Sequence, residues 1–383
     1  MPIYHRLGTI PRKRHTVFKA EDGGYRYEHL MGNKGFTGPA SLMYHLRRPT
    51  RLREVRIREQ LNWEADPDLR IRPRHLRLHR LPVGGSPVLN RTPALFNRSV
   101  AVSFVQPDTV DDFFYRNAQG DELLFLADGS GRLESTMGTL RLRRGDYVVI
   151  PRGIIHRLVL DGPARILVME ATGFIETPAR YRNEYGQHLE HSPFCERDFR
   201  LPEELPVHDE TGEFVILTKQ HNLLQEVVMA HHPFDVVGWD GHYYPWALNI
   251  EDFEPIVGRL HQPPPVHQTF QCDGFVVCSF VPRLYDFHPE AVPAPYNHSN
   301  VMTDEIIYYA KDEFMSRKGI EYGSVTLHPD GTPHGPHPGT MEKSVGAKQT
   351  DELAVMLDTF RPLHVAKPVL GVEDPDYLLS WLE

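Results

Sequence analysis

Gly323-Ser-Val-Thr-Leu-His328-Pro329-Asp-Gly331-Thr-Pro-His334 reads as a glycine, five residues, Pro-x-Gly, two residues and a histidine. The same spacing occurs earlier, in Gly145-Asp-Tyr-Val-Val-Ile-Pro151-Arg-Gly153-Ile-Ile-His156. Upstream of each copy lies a second matching block, and the two blocks align without a gap. They are Tyr115-Arg-Asn117-Ala-Gln-Gly-Asp121-Glu122-Leu-Leu-Phe125 and His298-Ser-Asn300-Val-Met-Thr-Asp304-Glu305-Ile-Ile-Tyr308. Tyrosine stands in the first copy where histidine stands in the second. The repeat predicts two related β-barrels, of which only the C-terminal one keeps a full set of metal-binding side chains.

Composition agrees with this reading. A chain of 383 residues with 40% hydrophobic content is long enough for two domains with substantial cores. Its 33 prolines and 29 glycines favour short strands joined by turns over long helices. A net charge of −9 argues against a nucleic-acid surface. The N-terminus, Met-Pro-Ile-Tyr-His-Arg, lacks the apolar stretch of a signal peptide, and no run of about 18 apolar residues suggests a membrane span. A soluble, cytoplasmic protein is the expectation. Cys195, Cys272 and Cys278 are too few and too irregularly spaced for a disulfide framework or a zinc cluster. The 22 histidines raise the expectation of a metal site without locating it.

Residues 46 to 80 hold eleven arginines, and Arg51-Leu-Arg-Glu-Val-Arg-Ile-Arg58 alternates charge and apolar residue with period two. That predicts a strand with one wet face, serving as a solvated outer face or a salt-bridged subunit contact rather than an anion surface. Strand patterns from Ser99 to Val105, at Glu122 to Leu126 and from Thr139 to Ile150 place the first barrel over roughly 100 to 175. Residues 176 to 212 turn polar and proline-bearing, as expected of a crossover. The division expected is therefore a β domain with a degenerate barrel over 1–200 and a barrel with the metal site over 201–383. Strand patterns continue to the Glu352-Leu-Ala-Val-Met-Leu-Asp-Thr-Phe360 run, and Asp374-Pro375-Asp376 would start one short helix through Leu382.

Oxygen chemistry at a metal calls for two or three protein ligands on one face, leaving positions open for substrate and dioxygen. The candidates in the second barrel are His298, His334 and one of Asp304 or Glu305. Glu305 is favoured because it begins the apolar strand and has the longer side chain. In the first copy, Glu122 and His156 with Tyr115 form an incomplete set, and the expected role there is structural. His328 and His337 flank His334 in a proline-restricted loop. His328 is a candidate for hydrogen bonding to substrate or oxygen, or for supporting a ligand; His337 is expected in an outer or surface position. The aromatic stretch from Pro233 to Trp246 is either a wall for a flat ring or a core anchor. His261, in Leu-His261-Gln-Pro-Pro-Pro, is a candidate general base, since an imidazole of pKa about 6.5 suits proton transfer near neutrality.

The paired motifs resemble those of cupins, which implies an all-β fold of two cupin-like, double-stranded β-helix barrels with little helix. Three longer pieces resemble homogentisate 1,2-dioxygenases more closely: Phe234-Asp-Val-Val-Gly-Trp-Asp-Gly241, Pro295-Tyr-Asn-His298-Ser-Asn300-Val-Met302, and His328-Pro-Asp-Gly-Thr-Pro-His334-Gly-Pro336. The resemblance implies Fe(II) held by His298, a glutamate just after it at Glu305 or Asp304, and His334. It carries the family's catalytic histidine onto His261 and a further active-site histidine onto His328. The implied reaction opens the ring of homogentisate to maleylacetoacetate in tyrosine and phenylalanine catabolism. Its partners are a small aromatic acid and dioxygen, and the resemblance implies a homo-oligomer, a trimer or hexamer. Met302-Thr-Asp-Glu-Ile-Ile307 departs from the animal-type Met-Ser-Glu-Phe-Met, which marks a divergent, bacterial-type branch. Alternatives are a dioxygenase for gentisate or another hydroxylated aromatic acid, and a non-catalytic cupin binding protein. His298-Ser-Asn300, in place of His-x-His, disfavours the gentisate type.

Overall fold

Apolar runs without alternation, such as Leu123-Leu-Phe-Leu126 and Ile306-Ile-Tyr-Tyr309, suit strands covered on both faces. They are found so in the computed structural model, which describes residues 3–258 and 264–382. Asp121–Asp128 runs inside an eight-stranded sheet, antiparallel to Asp146–Ile150 on one side and Arg165–Ala171 on the other. Asp304–Tyr309 runs inside a six-stranded sheet, between Ala354–Thr359 and Val325–His328. A seven-stranded sheet carrying Phe114–Asn117 and His156–Leu160 belongs to the N-terminal barrel, and a four-stranded sheet joins His5–Gly8 to Val236–Gly241. The fold is all-β with two cupin barrels. Among the described residues the only α-helix is Thr340–Ser344.

The sequence repeat extends to the pairing register. Glu122 stands opposite Ile150 and Glu170, and Glu305 stands opposite His328 and Asp358. Ile150 and His328 each lie five residues after the motif glycine. Tyr115 pairs with His156 as His298 pairs with His334. The motif glycines have φ of 84° at Gly145 and 82° at Gly323, in the left-handed region where side chains are strained. A Cβ at Gly323 would also lie 2.9 Å from the Cβ of His79. The glycine therefore turns the chain into the strand that delivers His328.

One core runs through both barrels. Tyr308 of the second packs on Phe104 and Phe125 of the first, with ring centroids 6.1 and 5.9 Å apart. Tyr147 meets Phe270 at 5.1 Å, and its hydroxyl lies 2.8 Å from Ser279 Oγ. The Tyr308 hydroxyl is buried with no partner among the described residues, so its ring rather than its oxygen stabilises the junction. Tyr308→Ala is expected to cost about 3–5 kcal/mol through loss of the ring and the cavity left behind. Tyr308→Phe is expected to be neutral or stabilising, because it removes only an unmet desolvation cost. Denaturant unfolding checks both; an unchanged midpoint in Tyr308→Ala would show that the barrels do not depend on this contact.

Three expectations are modified. Strand pairing crosses the boundary expected at residue 200. Trp246–Asn249 pairs with Asp146–Ile150, and Thr211–Gln220 runs parallel to Phe114–Asn117, while the six-stranded sheet of the second barrel takes in Arg74–Leu76. A polar, proline-bearing stretch signals a connection but not which sheet the next strand joins. Leu52–Gln60 is exposed along its whole length, not on one face only. It is the edge of the seven-stranded sheet, paired to Leu223–His231, and Ile57 is 72% exposed. The C-terminal turn is a 3-10 helix, Tyr377–Trp381, preceded by Asp376 with no side-chain cap. Asp374 instead accepts the Asp376 amide through Oδ1 at 3.2 Å and the Arg77 guanidinium through Oδ2 at 2.7 Å.

Candidate metal centre

Successive side chains on a strand point to opposite faces, so Asp304 and Glu305 cannot reach the same point. Glu305 turns toward the two imidazoles. Its Oε2 lies 3.9 Å from His298 Nε2 and 3.8 Å from His334 Nε2, and one ligand atom from each of the three residues fits within a 4.8 Å cluster. Asp304 turns the other way and accepts the backbone amides of Leu363 at 2.6 Å and Asp330 at 2.8 Å. Asp121 does the same in the first barrel, for Arg152 at 2.9 Å and Ile175 at 3.0 Å. The aspartate ties loops to the barrel in both copies, and Glu305 is the acid brought to the histidines.

Backbone pairing sets the two histidines side by side, each amide donating to the other's carbonyl at 2.8 Å. Their ring orientation follows from local carbonyls. His298 Nδ1 lies 3.3 Å from Tyr296 O, and His334 Nδ1 lies 3.1 Å from Thr332 O. A carbonyl can only accept, so each Nδ1 carries a proton, and in the neutral ring each Nε2 is the atom left to bind a metal. His334 Nε2 is buried with no hydrogen-bond partner among the described residues. Two imidazole nitrogens and one carboxylate oxygen are the ligand set of the facial triad, which suits a divalent first-row ion and leaves positions open. The residues present fit such an ion.

Glu305 is fully buried, which by itself would raise its pKa. The hydrogen bond from His328 and the neighbouring His334 overcome that and hold it well below the ordinary range. His328 Nδ1 donates to Glu305 Oε1 at 2.9 Å, leaving Oε2 for the shared point. Burial and then the nearby Arg317 charge lower His328 to about 4, against the pull of Glu305, so the ring is neutral at ordinary pH. It stacks on His334 with centroids 5.0 Å apart and planes 11° from parallel. His328 thus holds the carboxylate that faces the imidazoles.

A cavity of about 930 Å³ opens beside His298 and Glu305, walled by Phe280, Tyr285, Phe314 and Met356. Its volume lies within the range of small-molecule sites, and its mixture of aromatic walls with a few polar groups suits an aromatic acid. Two polar features of this wall were not nominated from the sequence. Arg283 forms a buried ion pair with Glu352 at 2.7 Å. Asp358, opposite Glu305, is pushed well above its ordinary carboxylate value by burial and then by the Glu305 charge. An acid inside the apolar run Ala354-Val-Met-Leu-Asp358 was the signal that marks it.

Of the other residues nominated from sequence, His337 is not at the surface. It stacks on Trp381 at 4.1 Å and its Nε2 lies 2.7 Å from Ser380 Oγ. The Pro233 to Trp246 stretch forms core rather than cavity wall: Trp239 and Trp246 are fully buried, and Trp239 Nε1 donates to Met137 O at 2.9 Å. His261 lies outside the described residues. Among the described residues, no helix is long and apolar enough to cross a membrane.

A family profile described as Homogentisate 1,2-dioxygenase N-terminal matches residues 92–250. A protein of Saccharolobus solfataricus, provisionally named a dioxygenase, is 42% identical over 100% of this chain and 99% of its own length. Homogentisate 1,2-dioxygenases of Bradyrhizobium diazoefficiens and Rhodopseudomonas palustris are each 28% identical, over 73% and 71% of this chain. The chain spans 65% and 63% of the length of those two enzymes. Among solved structures, a cupin 2 conserved barrel domain protein from Leptotrichia buccalis aligns with 76% of this chain and 98% of its own, at 8% identity and a TM-score of 0.36. On the family profile and the sequence relatives, the chain belongs to the homogentisate 1,2-dioxygenase family as a divergent member.

Proposed function

We propose that this chain is a ferrous-iron dioxygenase that opens the ring of a hydroquinone-type aromatic acid, with homogentisate as the first substrate to test and maleylacetoacetate as its product. One observation carries the reading. His298, Glu305 and His334 converge, one ligand atom from each lying within 4.8 Å of the others, at the edge of an aromatic-walled cavity. These three residues would hold the ion, which when bound supplies a cationic, redox-active centre where a phenol and dioxygen meet.

The rest of the work falls to the protein. His328 keeps Glu305 ionised and oriented. Phe280, Phe314 and Met356 exclude water from the ring. Burial and the Glu305 charge raise the Asp358 pKa, which favours its neutral form over a second negative charge near the ligand carboxylate. His261 is the proposed base for the phenol proton, on the family resemblance.

After anaerobic loading with ferrous iron, addition of oxygen and homogentisate is expected to consume oxygen and produce the absorbance of a ring-opened diketo acid. Absence of oxygen uptake across a panel of dihydroxyphenyl acids, gentisate included, would refute the reading. A homo-oligomer of trimer or hexamer type also belongs to this proposal, and the doubly exposed Leu52–Gln60 edge is its candidate contact. Ile57→Asp is expected to lower the mass measured by light scattering; an unchanged mass would remove that strand from the interface.

A further inference from the structure

The N-terminal barrel keeps the acid and one imidazole of the metal centre, but a different cation lies against them. Glu122, fully buried, takes two parallel bonds from Arg91, Nη1 to Oε1 at 2.8 Å and Nη2 to Oε2 at 3.0 Å. Asn117 Nδ2 and the Tyr115 hydroxyl donate to Oε1 at 3.0 and 3.2 Å. Tyr115 occupies the place of His298, and the Arg91 guanidinium lies 5.4 Å from its ring centre. His156 occupies the place of His334 and repeats its orientation: Nδ1 lies 3.0 Å from the carbonyl of Ile154, two residues back. The His156 Nε2 is therefore presented as a ligand's would be, and that atom is buried with no hydrogen-bond partner among the described residues. Burial would raise the Glu122 pKa, yet the Arg91 charge brings it to about 2.

We propose that Arg91 is the resident cation of the N-terminal barrel, its guanidinium filling a latent divalent-metal site formed by Glu122, His156 and the side-chain position of Tyr115. Two requirements point the same way. A buried carboxylate without a counter-charge is strongly destabilising, so a barrel that has lost its metal must find another cation. A guanidinium meets that need with a planar fork matched to the carboxylate. It also presents no open position to an incoming molecule, so this barrel is closed to the chemistry proposed for the other. The inference goes beyond the dioxygenase reading and does not rest on it, because the test counts ions gained by the first barrel whatever the second one holds.

The test uses the full chain carrying Arg91→Ala and Tyr115→His, equilibrated with cobalt(II) alone and dialysed. Cobalt per chain is expected to rise by one over the parent, with a new visible absorption band and a thermal midpoint several degrees higher in cobalt than without it. Arg91→Ala alone is expected to be stabilised by millimolar guanidinium chloride, which does not stabilise the parent. Arg91→Met/Glu122→Gln removes both charges, and is expected to fold and gain no cobalt. An unchanged cobalt count in the folded Arg91→Ala/Tyr115→His variant overturns the proposal. Failure of that variant to fold in saturating cobalt also overturns it, since a site that binds only the folded state must stabilise it.

Discussion

Replacing Glu305 with alanine is expected to leave less than one-tenth of the ferrous iron bound and to abolish ring opening. The carboxylate is the only negative group among the three converging residues, and its Oε2 lies within 4 Å of both imidazole Nε2 atoms. Without it, two neutral rings face one another, and His328 Nδ1 loses the acceptor now 2.9 Å away. Loss of a partner that only orients a ligand costs about 10–100-fold in metal affinity or activity, so loss of the ligand itself is expected to exceed 100-fold. Asp304→Ala, one residue away, is expected to behave differently. Iron should remain, and stability should fall by about 1–3 kcal/mol, because the Leu363 and Asp330 amides lose their buried acceptor. Iron analysis beside thermal unfolding separates the two outcomes. Iron retained in Glu305→Ala and lost in Asp304→Ala would reverse the assignment.

His328→Ala is expected to weaken iron binding by about 10–100-fold, the cost of losing a partner that orients a ligand. The imidazole is fully buried and neutral, and it donates to the Glu305 oxygen that does not face His298 and His334. Removing it frees the carboxylate to rotate and leaves that oxygen desolvated. His328→Asn, which retains a donor on a shorter arm, is expected to recover part of the affinity. Iron titration against a competing chelator measures both. An unchanged iron affinity with a lowered kcat would instead place His328 at the substrate, as its position beside the ligand motif also allowed.

The parts of the fold legible in the sequence were those set by local backbone requirements and strand periodicity. Gly145 and Gly323 must adopt positive φ, so the glycine-led motif marks the same turn twice. The gapless alignment of Tyr115 through Phe125 with His298 through Tyr308 foretold the common register of Glu122 and Glu305 with their neighbours. Alternation could likewise separate Asp304 from Glu305 onto opposite faces without saying which face held the histidines. What stayed illegible depends on contacts distant in sequence. Arg91 reaches Glu122 from 31 residues away, outside either motif. Trp239 and Trp246 carry the composition of a ring-binding wall but end in the core, because their strands join sheets containing N-terminal strands. Nothing in the period-two pattern of residues 51–58 tells whether the apolar side of that edge strand is covered by its own chain.

The most direct test of the metal centre is anomalous scattering at the iron edge from crystals of the protein loaded with ferrous iron under anaerobic conditions. One peak per chain is expected, about 2.0–2.2 Å from His298 Nε2, His334 Nε2 and Glu305 Oε2, the range for nitrogen and oxygen ligands of a comparable divalent ion. A peak bound elsewhere, or none at these three atoms in iron-loaded protein that consumes oxygen with its substrate, would contradict the account.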